Sequence, residues 1–166
     1  VLYFVVGLLL IGITYDWFDS DKVVSHLQKR ELTTFSSVYG GDCFKDQDVD
    51  DCRVRAEQGD SSAQYNLGLA YQKGLGVPQD YKESVEWYRK SAEQGYSLAQ
   101  NNLGVMYALG QGGLQDYVTA HMYWNIAAVG GLKSAIKGRG IVEKKMTSSQ
   151  IEKAQDLARE WMRTHQ

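Results

Sequence analysis

The middle of the chain repeats itself at a spacing of 36 residues, and no other sequence feature restricts the fold as strongly. When residues 56–91 are aligned with residues 92–127, 16 of the 36 positions are identical. The shared segments include Ala-Glu-Gln-Gly, Asn-Leu-Gly and Gln-Asp-Tyr. A period of this length is the signature of a repeat protein, in which each unit packs against its neighbours. The sequence therefore predicts a stack of similar units.

Each unit predicts two helices, which we call helix A and helix B. Ser61 with Gln64, and Ser97 with Gln100, have the spacing of a capping box, so helix A is expected to begin at the serine. Glycine at the other end of helix A suits a left-handed cap, because that conformation disfavours a Cβ atom. We therefore expect helix A of the first unit to end at Gly74.

Helix B is expected to begin at an aspartate, Asp80 in the first unit and Asp116 in the second. Aspartate is a favoured N-cap, because its side chain accepts a hydrogen bond from a free backbone N–H of the first turn. The two helices are expected to end near Gly95 and Gly131.

The repeat pattern weakens towards both ends. Residues 47–58 predict the helix B of a partial unit, and residues 132–142 predict a third helix A. A final helix over residues 147–165 is expected to act as a cap, because a solenoid must cover its last hydrophobic face. The repeat domain as a whole is assigned to residues 47–142.

The N-terminal segment is apolar and uncharged over residues 1–15. About 20 apolar residues span a bilayer, so the run is slightly short, and a first residue of Val and not Met leads us to expect further residues upstream. We predict a transmembrane anchor or uncleaved signal at residues 1–18, followed by a linker with a short helix at residues 19–46. A cleaved secretory signal and a buried core helix are the alternatives.

The charge balance bears on the class of partner. The net charge is −2 and the pI about 5.9, whereas a nucleic-acid-binding domain usually carries a strongly basic surface. No nucleic-acid partner is predicted.

The two cysteines, Cys43 and Cys52, flank the start of the predicted partial unit. A disulfide between them would stabilise the N-terminal edge of the solenoid by about 2–3 kcal/mol on loop-entropy grounds. It would also require an oxidising compartment. We predict the disulfide, with two free thiols as the alternative.

Residues suited to catalysis or metal binding are few. The three histidines are His26, His121 and His165, and no His-x-x-x-His or Cys-x-x-Cys spacing occurs. His121 occupies the repeat position of Val85, which favours a packing role. The glycine-rich turns recur with the repeat and lack the Lys-Ser/Thr of a phosphate loop. No catalytic residue, metal or cofactor is predicted.

The repeat motif points to a family. Helix A carries Ala-x-x-x-Leu-Gly-x-x-Tyr, the first turn carries Gly-x-Gly-Val-Pro-x-Asp, and helix B closes with Ala-x-x-Gly. This pattern resembles the Sel-one-like repeat family, relatives of the tetratricopeptide repeats, over roughly residues 45–142. The second unit departs from the pattern by having Gly113-Leu114 in place of Val-Pro. The resemblance implies an all-α, right-handed α-solenoid of antiparallel helix pairs that serves as an adaptor or assembly scaffold.

The resemblance also implies where a partner binds. If the tetratricopeptide-like geometry holds, the concave face of helix A binds a protein or peptide through positions that differ between the units. These positions are Tyr65, Leu69, Gln72, Asn101, Val105 and Ala108. Tyr65 is the favoured contact residue because tyrosine gives a large contact area at low entropic cost, with packing between the repeats as its alternative.

The predicted function is therefore a membrane-held interaction adaptor and not an enzyme. We expect a single-pass membrane protein whose repeats face the bacterial periplasm, with a secreted or a cytoplasmic protein as the alternatives. One alternative function is hydrolysis, since some cysteine-rich relatives are credited with β-lactam binding or hydrolysis. The other is a purely structural spacer.

Overall fold

The computed structural model describes residues 49–165, and this part of the chain is entirely helical between its turns. The helices are α1 (Val49–Glu57), α2 (Ser61–Lys73), α3 (Tyr81–Glu93), α4 (Ser97–Leu109), α5 (Tyr117–Val129), α6 (Lys133–Glu143) and α7 (Ser148–Thr164). None of these helices has the length and apolar composition that crossing a membrane requires. The all-α prediction is confirmed for residues 49–165, while the predicted anchor and linker lie outside the described residues.

The helices pack as the repeat predicts. α2 packs on α3 to form the first unit, and α4 packs on α5 to form the second. α1 lies against α2 as the helix B of a preceding unit, and α6 lies against α5 as a third helix A. The two predicted partial units are therefore present.

The predicted ends of the helices are largely confirmed. The carboxylates of Asp80 and Asp116 accept backbone N–H bonds at 2.8 to 3.2 Å from the first turns of α3 and α5. Gly74 and Gly110 follow helix A in the left-handed conformation, with φ of 71° and 69°. The turn between the helices is thus built in the same way in both units.

The predicted capping boxes of helix A are wrong. α2 is capped one residue earlier, by Asp60, and α4 begins after Tyr96 without a side-chain cap. The glutamines of the supposed boxes reach back to the preceding helix B instead. Gln64 donates to the carbonyl oxygen of Ala56 at 3.0 Å, and Gln100 makes the equivalent bond one repeat later. Each of these carbonyl oxygens also accepts a backbone N–H bond, from Gly59 and Gly95 respectively, so the glutamine adds a second bond at the end of the helix.

The two helices of a unit approach most closely over a glycine. A Cβ atom on Gly68 would lie 2.7 Å from Cδ1 of Tyr88, and one on Gly104 would lie 2.6 Å from Nε1 of Trp124. Real Cβ atoms do not approach other atoms so closely, so only glycine allows these rings to rest on helix A. The repeated Leu-Gly pair is therefore a packing element.

The C-terminal helix leaves the repeat pattern. α7 begins where the sequence predicts the final helix, and a complete capping box of Thr147 and Gln150 marks its start. It packs mainly on α5 through the buried Ala154 and Ala158, and not on α6 as a third helix B would. α6 consequently has one face that no neighbouring helix of the described chain covers.

Cys52 lies at the N-terminal edge of this assembly. It is fully buried and disulfide-bonded, and its sulfur lies 3.6 Å from the carbonyl oxygen of Ala63. The other cysteine of the sequence is Cys43, which lies outside the described residues. The pairing of Cys43 with Cys52 stays a prediction.

Candidate functional site

In the first unit, the residues predicted to bind a partner are packing residues. Tyr65 and Leu69 are 2% and 4% exposed. The ring of Tyr65 lies between those of Tyr88 and Tyr96, at centroid distances of 5.7 and 5.2 Å. Gln72 accepts a hydrogen bond of 2.9 Å from the hydroxyl of Tyr88. The expectation that Tyr65 and Leu69 line an open face is therefore wrong, because α3 packs on this side of α2.

In the second unit, the predicted residues are more accessible. Asn101, Val105 and Ala108 are half-buried. Val105 and Ala108 pack against the apolar cluster that contains Trp124, and Asn101 accepts a hydrogen bond of 3.2 Å from Ser134. Their role in binding a partner stays a prediction.

A groove at the C-terminal end of the solenoid is better suited to bind a partner. This C-terminal groove has a volume of about 440 Å³ and lies between α5, α6 and α7. Its lining residues are Asn125, Ala128, Val129, Ile136, Arg139, Gln155, Ala158, Arg159 and Met162. Ligand sites commonly have volumes of about 300–1,000 Å³ and combine an apolar surface with a few fixed polar groups. The groove meets both conditions.

The apolar part of the groove is unusually open to solvent. Val129 is 73% exposed and Ile136 is 48% exposed, although both are large apolar residues. Fully burying one such side chain is worth about 1.5–3 kcal/mol. A partner that covers them would gain a substantial part of its binding energy there.

The polar part of the groove includes an arginine held in place by its neighbours. Arg139 donates from Nη1 to Oδ1 of Asn125 at 2.9 Å, and its Nε lies 3.4 Å from a carboxylate oxygen of Glu143. The side chain of Arg139 is 35% exposed. It is therefore oriented before a partner arrives and can still donate to one. Arg159 pairs with Asp156 on α7 and is more exposed.

The buried ring of His121 fixes the orientation of Asn125 and Glu143 in this polar network. Because Oδ1 of Asn125 accepts from Arg139, its amide nitrogen is left to donate to Nδ1 of His121 at 3.0 Å. The proton of the ring then lies on Nε2, which donates to Glu143 at 2.9 Å. His121 is fully buried, which confirms the predicted packing role. Its polar contacts are an addition to that prediction.

The repeat register contains a signal for this network. Arg89 on α3 donates to the hydroxyl of Tyr107 on α4 at 3.1 Å. One repeat later the same two positions are Asn125 and Glu143, which His121 joins. Once the contact in the first unit is known, the repeat register therefore indicates which positions meet in the next unit. It does not place Gln155, Arg159 or Met162 beside them, because α7 leaves the register.

A second, smaller pocket of about 330 Å³ lies beside Arg89 and the glycine turn at Gly112. The hydrogen bond with Tyr107 raises the pKa of Arg89. Tyr123 stacks on Tyr107 at a centroid distance of 5.9 Å, and burial raises the pKa of Tyr123 to about 12. Arg89 is thus committed to packing between units, which makes this pocket a weaker binding site than the C-terminal groove.

Catalytic chemistry has little support among residues 49–165. No group of three or more His, Cys, Asp or Glu side chains in this range could hold a metal ion. Ser134 and Lys137 have the Ser-x-x-Lys spacing of some nucleophilic serines. Both are exposed on α6, and the hydroxyl of Ser134 donates to Asn101. Within the described range, no hydrogen bond joins Ser134 to Lys137 or to another base.

Comparison with known proteins agrees with this architecture. The family model of the Sel1 repeat matches residues 61–96 and 97–131, which are the two complete units. The chain carries two Sel1 repeats. The sequence-based assignment to the Sel-one-like family is confirmed.

Solved Sel1-type structures share the fold. A protective antigen of uropathogenic Escherichia coli that displays an SLR fold superimposes with a TM-score of 0.72 and is 32% identical; the match covers 83% of this chain and 30% of that one. A Sel1 repeat protein from Oxalobacter formigenes gives a TM-score of 0.51 at 30% identity, with coverage of 63% of this chain and 43% of that one. The chain thus spans less than half the length of either structure.

No curated protein matches the chain significantly. Sel1-repeat proteins are generally protein-interaction scaffolds and typically non-catalytic. The partner of this Sel1-repeat chain must therefore be inferred from its own surfaces.

Proposed function

We propose that this Sel1-repeat chain is an interaction scaffold, held at a membrane by residues 1–18, that binds a segment of a partner protein in the C-terminal groove. The observation that carries the proposal is the combination of exposed Val129 and Ile136 with the oriented guanidinium of Arg139. The matching segment has apolar side chains beside a carboxylate. Arginine is the favoured side chain for holding a carboxylate, because its planar fork donates two parallel hydrogen bonds.

The geometry favours binding over the two alternatives. A hydrolase needs a nucleophile and a base within hydrogen-bond reach, and Ser134 has no such base within residues 49–165. A pure spacer needs no groove lined by exposed apolar side chains, since a contiguous apolar patch on a protein surface usually marks a contact site. The groove is explained by neither alternative.

Site-specific crosslinking in cells tests this proposal. A photo-crosslinking residue is placed at Val129 in the groove, and separately at Leu114, which is 92% exposed and lies on a turn away from the groove. We expect a discrete adduct from position 129 only, and a weaker one when Arg139→Ala is added. Equal adducts from both positions, or an adduct that Arg139→Ala leaves unchanged, would rule out the groove as the binding site.

The membrane attachment and the periplasmic location are tested through the cysteines. Intact cells are labelled with a membrane-impermeant thiol reagent before and after reduction. Because Cys52 is fully buried, the labelling is scored at Cys43. Labelling of Cys43 only after reduction supports a disulfide and an oxidising exterior. Labelling that requires cell lysis but no reductant would place the repeats in the cytoplasm and refute both the export and the disulfide.

A further inference from the structure

One face of α6 has no neighbouring helix in the described chain. The residues of this α6 face are Lys133, Lys137, Gly140, Ile141 and Lys144. Lys133, Lys137, Gly140 and Lys144 are separated by the helical spacings of four, three and four, and Ile141 is adjacent to Gly140. The three lysines and Ile141 are exposed, Ile141 by 53%, and Gly140 is half-buried. No ion pair joins any of these lysines to another residue within 49–165.

In the first unit, the residues at the same repeat positions form the surface on which helix B packs. The equivalents of Lys137, Gly140 and Lys144 are Tyr65, Gly68 and Gln72, and all three contact Tyr88 of α3. The equivalent of Lys133 is Ser61, whose carbonyl oxygen accepts a 2.7 Å hydrogen bond from Ser91, also on α3. This face of a helix A therefore receives a helix with an aromatic ring at its centre.

The second unit follows the same rule with another aromatic residue. Trp124 of α5 lies over Gly104, the equivalent of Gly140. In both complete units, therefore, the glycine at this position is covered by an aromatic ring of helix B.

Gly140 is the third glycine of this series and has no ring. No atom of the described chain, outside its own helix and chain neighbours, lies within 4 Å of the place where its Cβ would be. Glycine inside a helix costs about 0.5–1 kcal/mol relative to alanine. Nothing in residues 49–165 makes that cost necessary, whereas a ring resting on α6 would require it.

The charges on the α6 face indicate what kind of helix fits it. In the covered units, the positions of the three lysines hold only uncharged residues. The lysines alone would suit a solvated end of the solenoid, but Gly140 and the exposed Ile141 are not explained by solvation. A helix with carboxylates along its edges would pair with the lysines and cover Ile141.

We propose that the α6 face docks an acidic helix of a partner protein, which places a tyrosine or tryptophan ring over Gly140 and so takes the place of a third helix B. This surface shares no residue with the lining of the C-terminal groove, and the proposal does not depend on that groove being a binding site. It predicts a partner defined by its chemistry: an amphipathic helix with one central aromatic residue and acidic flanks.

The probe for this proposal is a helical peptide that copies α3. It consists of residues 80–95 with Lys82→Glu, which changes the net charge of the segment from −1 to −3. A hydrocarbon staple joins positions 86 and 90, both of which are exposed in α3. A fluorescent label reports binding to the full chain, purified in mild detergent, by anisotropy. The matched control peptide carries Tyr88→Ala.

We expect the probe to bind to the chain. The Tyr88→Ala peptide should bind about tenfold more weakly, a loss of about 1.4 kcal/mol. The chain variant Gly140→Leu should lose at least as much affinity for the probe. Lys137→Glu should weaken binding several-fold, whereas Lys73→Glu, the same change on exposed α2 surface, should not. Arg159→Ala in the groove should also leave probe binding unchanged, which separates this proposal from the groove.

Because no described neighbour crowds Gly140, Gly140→Leu should fold, and its melting temperature checks that it does. Absence of probe binding, or binding that Gly140→Leu does not weaken, overturns the proposal and leaves a solvated solenoid end. A concentration-dependent dimer in sedimentation that Gly140→Leu abolishes also overturns it, because the α6 face would then be covered by a second copy of the chain.

Discussion

The first repeat unit and helix α6 hold equivalent positions in opposite surroundings. On α2 these positions lie under α3, with Tyr65 and Leu69 almost fully buried. On α6 the equivalent positions are Lys137 and Ile141, and both are exposed. The backbone is a helix A in both cases, so the difference arises from the helix that follows: α3 packs on α2, whereas α7 packs on α5.

This contrast shows that a repeat register fixes the neighbours of a residue only where the next helix stays in register. Two glycines at the same repeat position illustrate this dependence on the next helix. Gly68 is required by the ring of Tyr88, while Gly140 has no such neighbour among the described residues. The same residue type is thus a packing requirement in one unit and an open surface in another.

The largest expected effect comes from removing the ring that covers the first unit. Tyr88 is fully buried, and its hydroxyl donates to Gln72 and accepts from Asn102 at 3.0 Å. Tyr88→Ala should lower the free energy of unfolding by about 3–5 kcal/mol, as for other large-to-small aromatic substitutions. Urea denaturation followed by circular dichroism measures it. Tyr88→Phe, which keeps the ring, should cost only about 1–3 kcal/mol, and equal losses for both variants would contradict the packing role of the ring.

A methyl group on the covered glycine should have the next largest effect. Gly68→Ala places a Cβ 2.7 Å from Cδ1 and 2.9 Å from Cε1 of Tyr88, which is closer than carbon atoms normally approach. Overpacking of this kind typically costs about 1–3 kcal/mol, which exceeds the helix-propensity gain of alanine. The loss is measured by the same denaturation. A stabilised Gly68→Ala variant would show that the ring moves aside freely and that the contact is not close in solution.

Much of this fold follows from the sequence, because its determinants are local. The sequence alone predicts the 36-residue period, the aspartate caps at Asp80 and Asp116, and the glycine after each helix A. The capping boxes failed because Asp60 provides a cap one residue before Ser61. Gln64 is then free to bond Ala56 of the preceding helix, which is a contact between units that local patterns do not show.

The candidate site could be predicted much less well. The Arg139 network depends on side chains from α5 and α6, and only Asn125 and Glu143 occupy repeat positions that are also in contact in the preceding unit. The C-terminal groove depends on α7, which has no repeat to indicate where it packs. Tyrosine is common at interfaces, which favours Tyr65 as a contact residue, but that preference cannot distinguish an interface with a partner from one with the next helix of the same chain.

The open glycine should respond with the opposite sign to the covered one. Gly140→Ala adds a methyl group where no described atom lies within 4 Å, and alanine is the better helix former. We expect it to raise the free energy of unfolding by about 0.5–1 kcal/mol, measured as a higher urea midpoint. Gly68→Ala is the internal comparison. Destabilisation by Gly140→Ala would mean that the α6 face is already covered in the isolated chain.

The smallest expected effect concerns the starts of the same two helices. α2 begins at Asp60, whose carboxylate binds Arg55 at 2.6 Å and two backbone N–H groups, whereas α6 begins after Leu132 without a side-chain cap. The hydrogen bond from Arg55, and then that from the backbone of Ala63, lower the pKa of Asp60 below its ordinary value of 3.8. The folded state therefore favours the ionised form.

The resulting stability is fully present above pH 3.8 and is lost as the pH falls through the lower pKa of the folded state. Asp60→Asn keeps a capping oxygen but removes the charge, so at pH 7 it should cost only about 0.5–1 kcal/mol, as for a partly exposed ion pair. The gap between the two proteins should narrow as the pH falls below 3.8. Urea midpoints across this range measure it, with the exposed Asp51→Asn as the charge-matched control. A gap that stays constant with pH would show that the cap contributes through its oxygen alone, and the start of α2 would then differ from that of α6 in hydrogen bonding but not in charge.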